Sequence, residues 1–290
     1  MSRKGLLLFL ACGLAWGIPY FFIRVAIDYF SAETIILFRV LIGAAVLLPI
    51  AIRQGALKPA LKKWPWILLF AVIEMGIPWW LVNNAEQHIA SGLAGLLIAT
   101  VPFFATVIGY FWLGDQSLKH PKTILGLVIG FAGIVLLVGV DSLTGDIEPL
   151  WVLAVVAAAI GYAIAPAMMT VKAKDVPSTG VNALAMALVA VIYAVPAGLK
   201  LPGELAANPP IQAWMSIAVL GLICSAAAFV LFFALMREVG SARATLITYL
   251  NTLVAIGLGV AFLAEPITLG MAIGFPLVLV GSWFAGRKHA

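Results

Sequence analysis

The stretch Ser91-Gly92-Leu93-Ala94-Gly95-Leu96-Leu97-Ile98-Ala99-Thr100-Val101-Pro102, running on to Leu113-Gly114-Asp115, has a counterpart 150 residues later. There Ser241-Ala242-Arg243-Ala244-Thr245-Leu246 runs on to Leu263-Ala264-Glu265. The offset matches Ser91 with Ser241, Ala94 with Ala244, Leu96 with Leu246, Ala105 with Ala255, Gly109 with Gly259 and Leu113 with Leu263, and sets Asp115 against Glu265. Each copy is an apolar span that opens on small residues, ends at an acid and precedes one more apolar run. A duplication of this length restricts the fold to two related halves.

Composition decides where those halves reside. The chain is 64 % hydrophobic and 10 % charged, with a mean hydropathy of +1.13, against about 45–50 % apolar and about 25 % charged in soluble domains. This is a polytopic membrane protein. Crossing a roughly 30 Å hydrocarbon core takes about 20 apolar residues, so 290 residues hold at most about ten to twelve spans. The start, Arg3-Lys4 followed by Leu6 to Gly13, imitates a secretory signal or a lipoprotein cleavage site. The apolar run continues through Trp16, Pro19 and Phe22 to Ile27, too long for a signal sequence, and is expected to stay as the first span. Cys12 and Cys224 both fall inside apolar runs, and no disulfide is expected.

The apolar runs predict spans at residues 6–26, 34–52, 65–84, 92–113, 122–140, 150–170, 179–199, 212–235, 242–263 and 267–286. With the N-terminus inside, Arg3, Lys4, Arg53, Lys58, Lys62, Lys63, Lys119, Lys122, Lys172, Lys174, Arg237, Arg243, Arg287 and Lys288 all fall on one side. Lys200 alone lies in an opposite loop, with Asp28, Glu33, Asp141, Asp146, Glu148 and Glu204. Because basic loops stay in the cytoplasm, the expected localisation is multi-pass in the cytoplasmic membrane with both termini cytoplasmic. The net charge of +5 is then a topology signal, and no nucleic-acid partner is needed.

A repeat of five spans is odd, so the second copy must enter the membrane upside down. The expected fold is an all-α membrane protein of ten transmembrane helices arranged as two inverted five-helix repeats, 1–140 and 150–290, joined by a linker at 141–149. Such halves commonly enclose a substrate site near the midplane. The fifth run carries Gly126, Gly130 and Gly133 and the tenth Gly270, Gly274 and Gly281; small residues at such intervals let helices approach closely in lipid. These two pseudo-equivalent spans are expected to pack together as a scaffold outside the pathway.

The residues at this point resemble the drug/metabolite transporter superfamily, in its form with two EamA domains. The resemblance rests on Leu14-Ala15-Trp16-Gly17 followed by Arg24, Phe38-Arg39-Val40-Leu41, Ala99-Thr100-Val101-Pro102 with Leu113-Gly114-Asp115, and Ala228-Phe229 on to Glu265-Pro266. It covers nearly the whole chain and implies a ten-helix inverted-repeat carrier, most often an exporter of amino acids or other small metabolites. One departure is Leu250-Asn251-Thr252-Leu253 in the ninth span, where the family commonly has a proline; Pro102 is kept in the fourth. The two halves should therefore differ here, since a proline leaves one carbonyl without its amide partner and can kink its helix.

Glu74 is the acid that lies deepest, nine residues beyond Pro65, or about 13 Å at 1.5 Å per residue. An intramembrane carboxylate is costly and faces either a partner or a cavity, where proton relay is a known use. Both readings stand for Glu74: a structural carboxyl bonded to a neighbouring helix, or a proton-coupling and substrate-binding group. Its counterpart in the second copy is Cys224, so the acid belongs to one half only. Trp16, Tyr20, Thr100, Tyr162, Tyr249 and Asn251 occupy similar depths and, with Phe229, would give an aromatic substrate-binding cavity with few polar contacts; packing is the alternative. Arg24 and Arg39 near span ends read as snorkelling side chains, or as cations drawing anions to an outward mouth with Asn83 and Asn84. Trp64, Trp66, Trp79, Trp80 and Trp151 read first as interfacial residues, with Trp79 and Trp80 also able to cap the cavity.

The function expected is secondary active transport of small metabolites, amino acids or related compounds, by alternating access and in the export direction, with protons as the coupling partner and lipid as the solvent. A facilitative uniporter or broad-specificity drug efflux carrier is the alternative. The chain has no phosphate-binding Gly-x-x-x-x-Gly-Lys-Ser/Thr loop, no His-Glu-x-x-His, no Gly-x-Ser-x-Gly and no paired intramembrane aspartates, so neither a nucleotide-driven pump nor a membrane enzyme is indicated. A channel is disfavoured by the inverted repeat and by the lack of charged pore rings. No cofactor or metal is called for.

Overall fold

Prolines cut several of the apolar runs into shorter helical pieces. The computed structural model describes residues 2–114, 120–143, 148–239, 244 and 247–286, with the side chains of 137–143, 282, 285 and 286 outside the description. Asp115, Ser241, Arg243, Thr245 and Leu246 of the duplicated stretch, and Asp146 of the linker, also lie outside the described residues. Among the described residues every regular element is helical.

The first run is α1 (Arg3–Gly17) and α2 (Pro19–Ala26), parted at Ile18 by a proline that has no amide to donate. Helix α3 (Ala32–Arg53) follows, capped by the Ser31 hydroxyl. After the short α4 (Leu57–Lys62), the third run is α5 (Trp64–Ala71), a π-helical turn over Val72–Gly76, and α6 (Ile77–Ala85). The fourth is α7 (Ser91–Ile98) and α8 (Val101–Leu113), broken at Ala99-Thr100 just ahead of Pro102. There the backbone tightens to three-residue bonds, and the Thr100 hydroxyl donates to Leu97 O at 2.6 Å.

Then come α9 (Pro121–Leu143), α10 (Pro149–Lys172), α11 (Ser178–Ala206), α12 (Ile211–Gly221), a second π turn over Leu222–Ala227, α13 (Ala228–Val239), α14 (Ile247–Leu263) and α15 (Leu269–Gly286). Among the described residues, seven helical stretches are long and apolar enough to cross a membrane: 3–26, 32–53, 64–85, 91–113, 149–172, 178–206 and 211–239. Three shorter apolar helices lie within α9, α14 and α15. As the missing proline implies, α14 runs unbroken where its counterpart is cut. Thr252 stands at the position of Pro102, and its hydroxyl donates to Gly95 O at 3.2 Å and Thr248 O at 3.0 Å.

Helix contacts come in matched sets. Helix α9 lies along α15, α3 along α11, and α7 along α14; α1 packs on α13 as α10 packs on α6, and α1 meets α14 as α10 meets α7 and α8. The glycine helices approach as expected. A Cβ added to Gly133 would lie 2.8 Å from the Val278 amide and 2.9 Å from the Gly274 carbonyl, and one on Gly281 would strike the Gly130 backbone. In lipid such contact is driven by close van der Waals packing.

Candidate functional site

Each π turn inserts an extra residue into its helix, a feature frequent at functional sites, and both turns face one central cavity. In the first turn the Ile77 amide reaches back to Val72 O, and Pro78 then has none to offer the carbonyls before it. Gly161 of α10 makes room for the Ile73 carbonyl, since a Cβ there would lie 2.7 Å from that oxygen. The Tyr193 hydroxyl of α11 donates to Gly76 O at 3.0 Å. The turn so held presents Glu74. In the second turn Ser225 Oγ donates to Leu220 O at 2.9 Å, and Cys224 faces the cavity.

The cavity measures about 410 Å³ and is lined from α1, α2, α3, α6, α10, α13, α14, both π turns and the α7–α8 break. Six of the eight residues singled out from the sequence line it: Trp16, Tyr20, Glu74, Tyr162, Phe229 and Asn251. Trp16 meets Phe229 edge-on at 5.5 Å and Phe232 at 4.8 Å between ring centroids. Glu74 Oε2 is enclosed without a hydrogen-bond partner. The charged neighbours of the Tyr162 hydroxyl include both Glu74 and Arg39. With its amide turned to satisfy its surroundings, Asn251 donates to Gly13 O at 2.8 Å and Ile247 O at 3.0 Å, tying α14 to α1.

Thr100 and Tyr249 are not among the lining residues. Thr100 is buried with its hydroxyl turned back on its own helix.

Of the two readings open for each, the structure sets aside snorkelling for Arg39 and an interfacial place for Trp79, because both side chains are buried at the cavity. Arg39 is 6 % exposed and Trp79 7 %; both line the cavity, with the guanidinium carbon 3.7 Å over the indole. Arg39 Nε donates to Ser225 Oγ at 2.8 Å. Trp80, one residue on, faces outward and donates to Glu33 at 3.0 Å. Arg24 pairs with Asp28 at 2.8 Å. The doublet Trp79-Trp80 held the clue, because adjacent residues on a helix cannot share a face.

The lining reaches Met236 and Ile247, at the end of the molecule where Ser2 donates to Glu238 at 2.6 Å. At the opposite end α7 and α14 are closed on each other. Helix α7 has no side-chain cap of its own; the Glu265 carboxylate accepts from the Ser91 amide at 2.7 Å and the Gly92 amide at 3.0 Å, which suits the positive end of a helix. Sequence reasoning marked Glu265 only as an acid ending its span. Beside it Glu86 is 1 % exposed, and neither of its oxygens has a partner. Burial, then the charge of Glu265, pushes Glu86 well above the usual carboxylate range, against the pull of Arg24 and Arg39.

The EamA-like transporter family matches at residues 3–139 and again at 149–287. Among similar proteins, the uncharacterized inner membrane transporter YedA of Escherichia coli (strain K12) is 27 % identical over 92 % of this chain and 87 % of its own length. The uncharacterized transporter YvbV of Bacillus subtilis (strain 168) is 23 % identical over 95 % and 89 %. The probable terminal-alkyne amino-acid exporter of Streptantibioticus cattleyicolor is 25 % identical over 95 % and 93 %. A solved crystal structure, 20 % identical over 98 % of each chain, superposes with a TM-score of 0.64, a likeness of fold. A chain of apolar helices around one aromatic cavity, matched by this family along both of its copies, is a multi-pass membrane protein that belongs to the EamA-like transporter family.

Proposed function

We propose that the chain is a secondary carrier that exports small metabolites, amino acids or related compounds, by alternating access. In this reading ten helices cross the membrane as two inverted repeats, 1–140 and 150–290, about the 141–149 linker. The observation that carries it is the cavity: both copies contribute to it and it extends toward the Met236 end, while at the other end the Glu265 carboxylate binds the first amides of α7. The matched helix contacts and the two π turns 150 residues apart support the pseudo-two-fold. Loop charge puts the Met236 end in the cytoplasm, so the cavity is inward-facing. The name of the Streptantibioticus relative favours amino acids and export.

Glu74 couples the cycle to protons. It takes up a proton while the cavity is empty and releases it as substrate, or the opposite face, is presented; the enclosed, unpartnered oxygen suits a group that gains a proton. Six lining residues, Trp16, Tyr20, Glu74, Tyr162, Phe229 and Asn251, contact substrate.

Counterflow in proteoliposomes tests the carrier reading: a carrier exchanges labelled for unlabelled substrate across the membrane, and a channel does not. A reporter fused after Asp146 should register the outer side and one after Lys174 the cytoplasm. Swapped signals would remove the inverted repeat.

A further inference from the structure

Arg39 is a buried cation for which the protein supplies no counter-ion. The ion pairs among the described residues are Lys4–Glu238, Arg24–Asp28, His88–Glu148 and Lys200–Glu33, and none involves Arg39. Glu86 acts on it only through space, and it is held between Glu265, Arg24 and Arg39 without a bond to any of them. A charge taken out of water needs an opposite charge or a full set of hydrogen bonds, and here both are incomplete. Trp79 covers one face of the guanidinium, and Ser225, itself anchored to Leu220 O, takes the Nε edge. The two terminal nitrogens have no hydrogen bond to a described residue, and the side chain lines the cavity. The group is thus fixed in plane with its end-on pair of donors free.

That geometry fits the two oxygens of a carboxylate, which accept parallel bonds from a guanidinium fork. A phosphate dianion fits less well, because the other charged residue lining the cavity is an acid, Glu74. The remaining lining is largely aromatic and aliphatic and suits an apolar body. We infer that Arg39 binds the carboxylate of the transported molecule, so that an amino acid is held by its carboxylate at Arg39 and by its ammonium toward Glu74, with its side chain against the apolar lining. This rests on the carrier reading above and specifies which end of the substrate each of the two charges receives. Both charges sit in the first copy: α11, the counterpart of α3, contains no arginine, and Cys224 stands opposite Glu74.

The test uses purified full-length protein and four probes that differ by one group: L-phenylalanine, its amide, 3-phenylpropionate and 2-phenylethylamine. Affinity is read from the concentration at which each raises the melting temperature. The wild type should bind phenylalanine about tenfold or more tightly than the amide, the range of a charge-assisted pair. Arg39→Gln should abolish that preference, lowering affinity for phenylalanine while leaving the amide nearly unchanged, and Arg39→Lys should restore part of it. Glu74→Gln should instead narrow the gap between phenylalanine and 3-phenylpropionate. Equal binding of acid and amide by the wild type overturns the assignment while leaving the carrier reading intact; that comparison decides even if Arg39→Gln does not fold. Failure of all four probes to bind removes the amino-acid reading and this assignment together, whereas failed counterflow with normal carboxylate preference would sink only the carrier reading.

Discussion

The run α5–α6 and the run α12–α13 occupy equivalent places in the two copies, and each is interrupted by a π turn at the same offset, Val72–Gly76 against Leu222–Ala227. The backbone device is shared and the chemistry is not. One turn presents a carboxyl, Glu74, and relies on a hydroxyl from another helix, Tyr193, to occupy the Gly76 carbonyl. The other presents Cys224 and occupies the Leu220 carbonyl with its own Ser225, whose oxygen also receives Arg39 from α3. The scaffold therefore repeats, while charge is concentrated in the first copy and the second supplies apolar surface and the seat for Arg39. In the proposed carrier, the repeated frame would let the two halves exchange roles about the cavity, and the unlike linings would give a substrate with unlike ends one orientation.

Four substitutions break or sharpen that contrast. The largest effect belongs to the shared frame. Gly281→Leu forces a side chain into backbone of α9 that has no flexible group to yield, and should destabilise by about 3 kcal/mol. Membrane abundance should fall while activity per surviving molecule is kept; retained abundance would mean that α9 and α15 do not scaffold the halves.

Next, Ser225→Ala strips the second turn of its hydroxyl and leaves the Arg39 Nε and the Leu220 carbonyl short of a partner, costing about 2 kcal/mol because one of the lost bonds is to a charged group. A double-mutant cycle with Arg39→Gln should show strong coupling, and additive losses would refute the link between them.

Glu86 gives the pH dependence. Its raised pKa means that the folded protein keeps a proton that the unfolded chain has given up, so stability is full below the ordinary carboxylate range and declines as pH rises through the raised value, at most by about 1.4 kcal/mol per pH unit. Melting temperatures measured from acidic to neutral pH should fall, and Glu86→Gln should flatten the curve. The smallest effect is Tyr193→Phe, which costs the first turn one hydrogen bond, about 1 kcal/mol, and should not couple to Arg39→Gln.

Much of this frame is readable from the chain, because lipid imposes length and hydropathy on every span and glycine spacing marks where helices touch. Depth along a span is readable too, and it led to Trp16, Tyr20, Glu74, Tyr162 and Asn251. Direction around the helix is not fixed by depth: Thr100 lies at the same depth, but its hydroxyl bonds Leu97 of its own helix. For Arg39 the sequence leaves two readings open, a snorkelling side chain and a cation that draws anions, and cannot choose between them. Its position near the start of α3 suits a snorkelling side chain, and what holds it inside, Trp79 and Ser225, comes from segments 40 and 186 residues away. Glu265 capping α7 across 173 and 174 residues is of the same kind. The π turns themselves have a local cause only in the first copy, where Pro78 follows.

The carboxyl of the first π turn, absent from the second, is the centre of the functional account, and transport by wild type and Glu74→Gln in proteoliposomes tests it most directly. Two assays on the same vesicles are needed, substrate movement driven by an imposed pH gradient and substrate exchange at equal pH. The substitution keeps shape and hydrogen-bonding capacity but cannot carry charge, so gradient-driven movement should disappear while exchange continues at saturating substrate. Gradient-driven movement at the wild-type rate would contradict the account and leave Glu74 as a structural carboxyl.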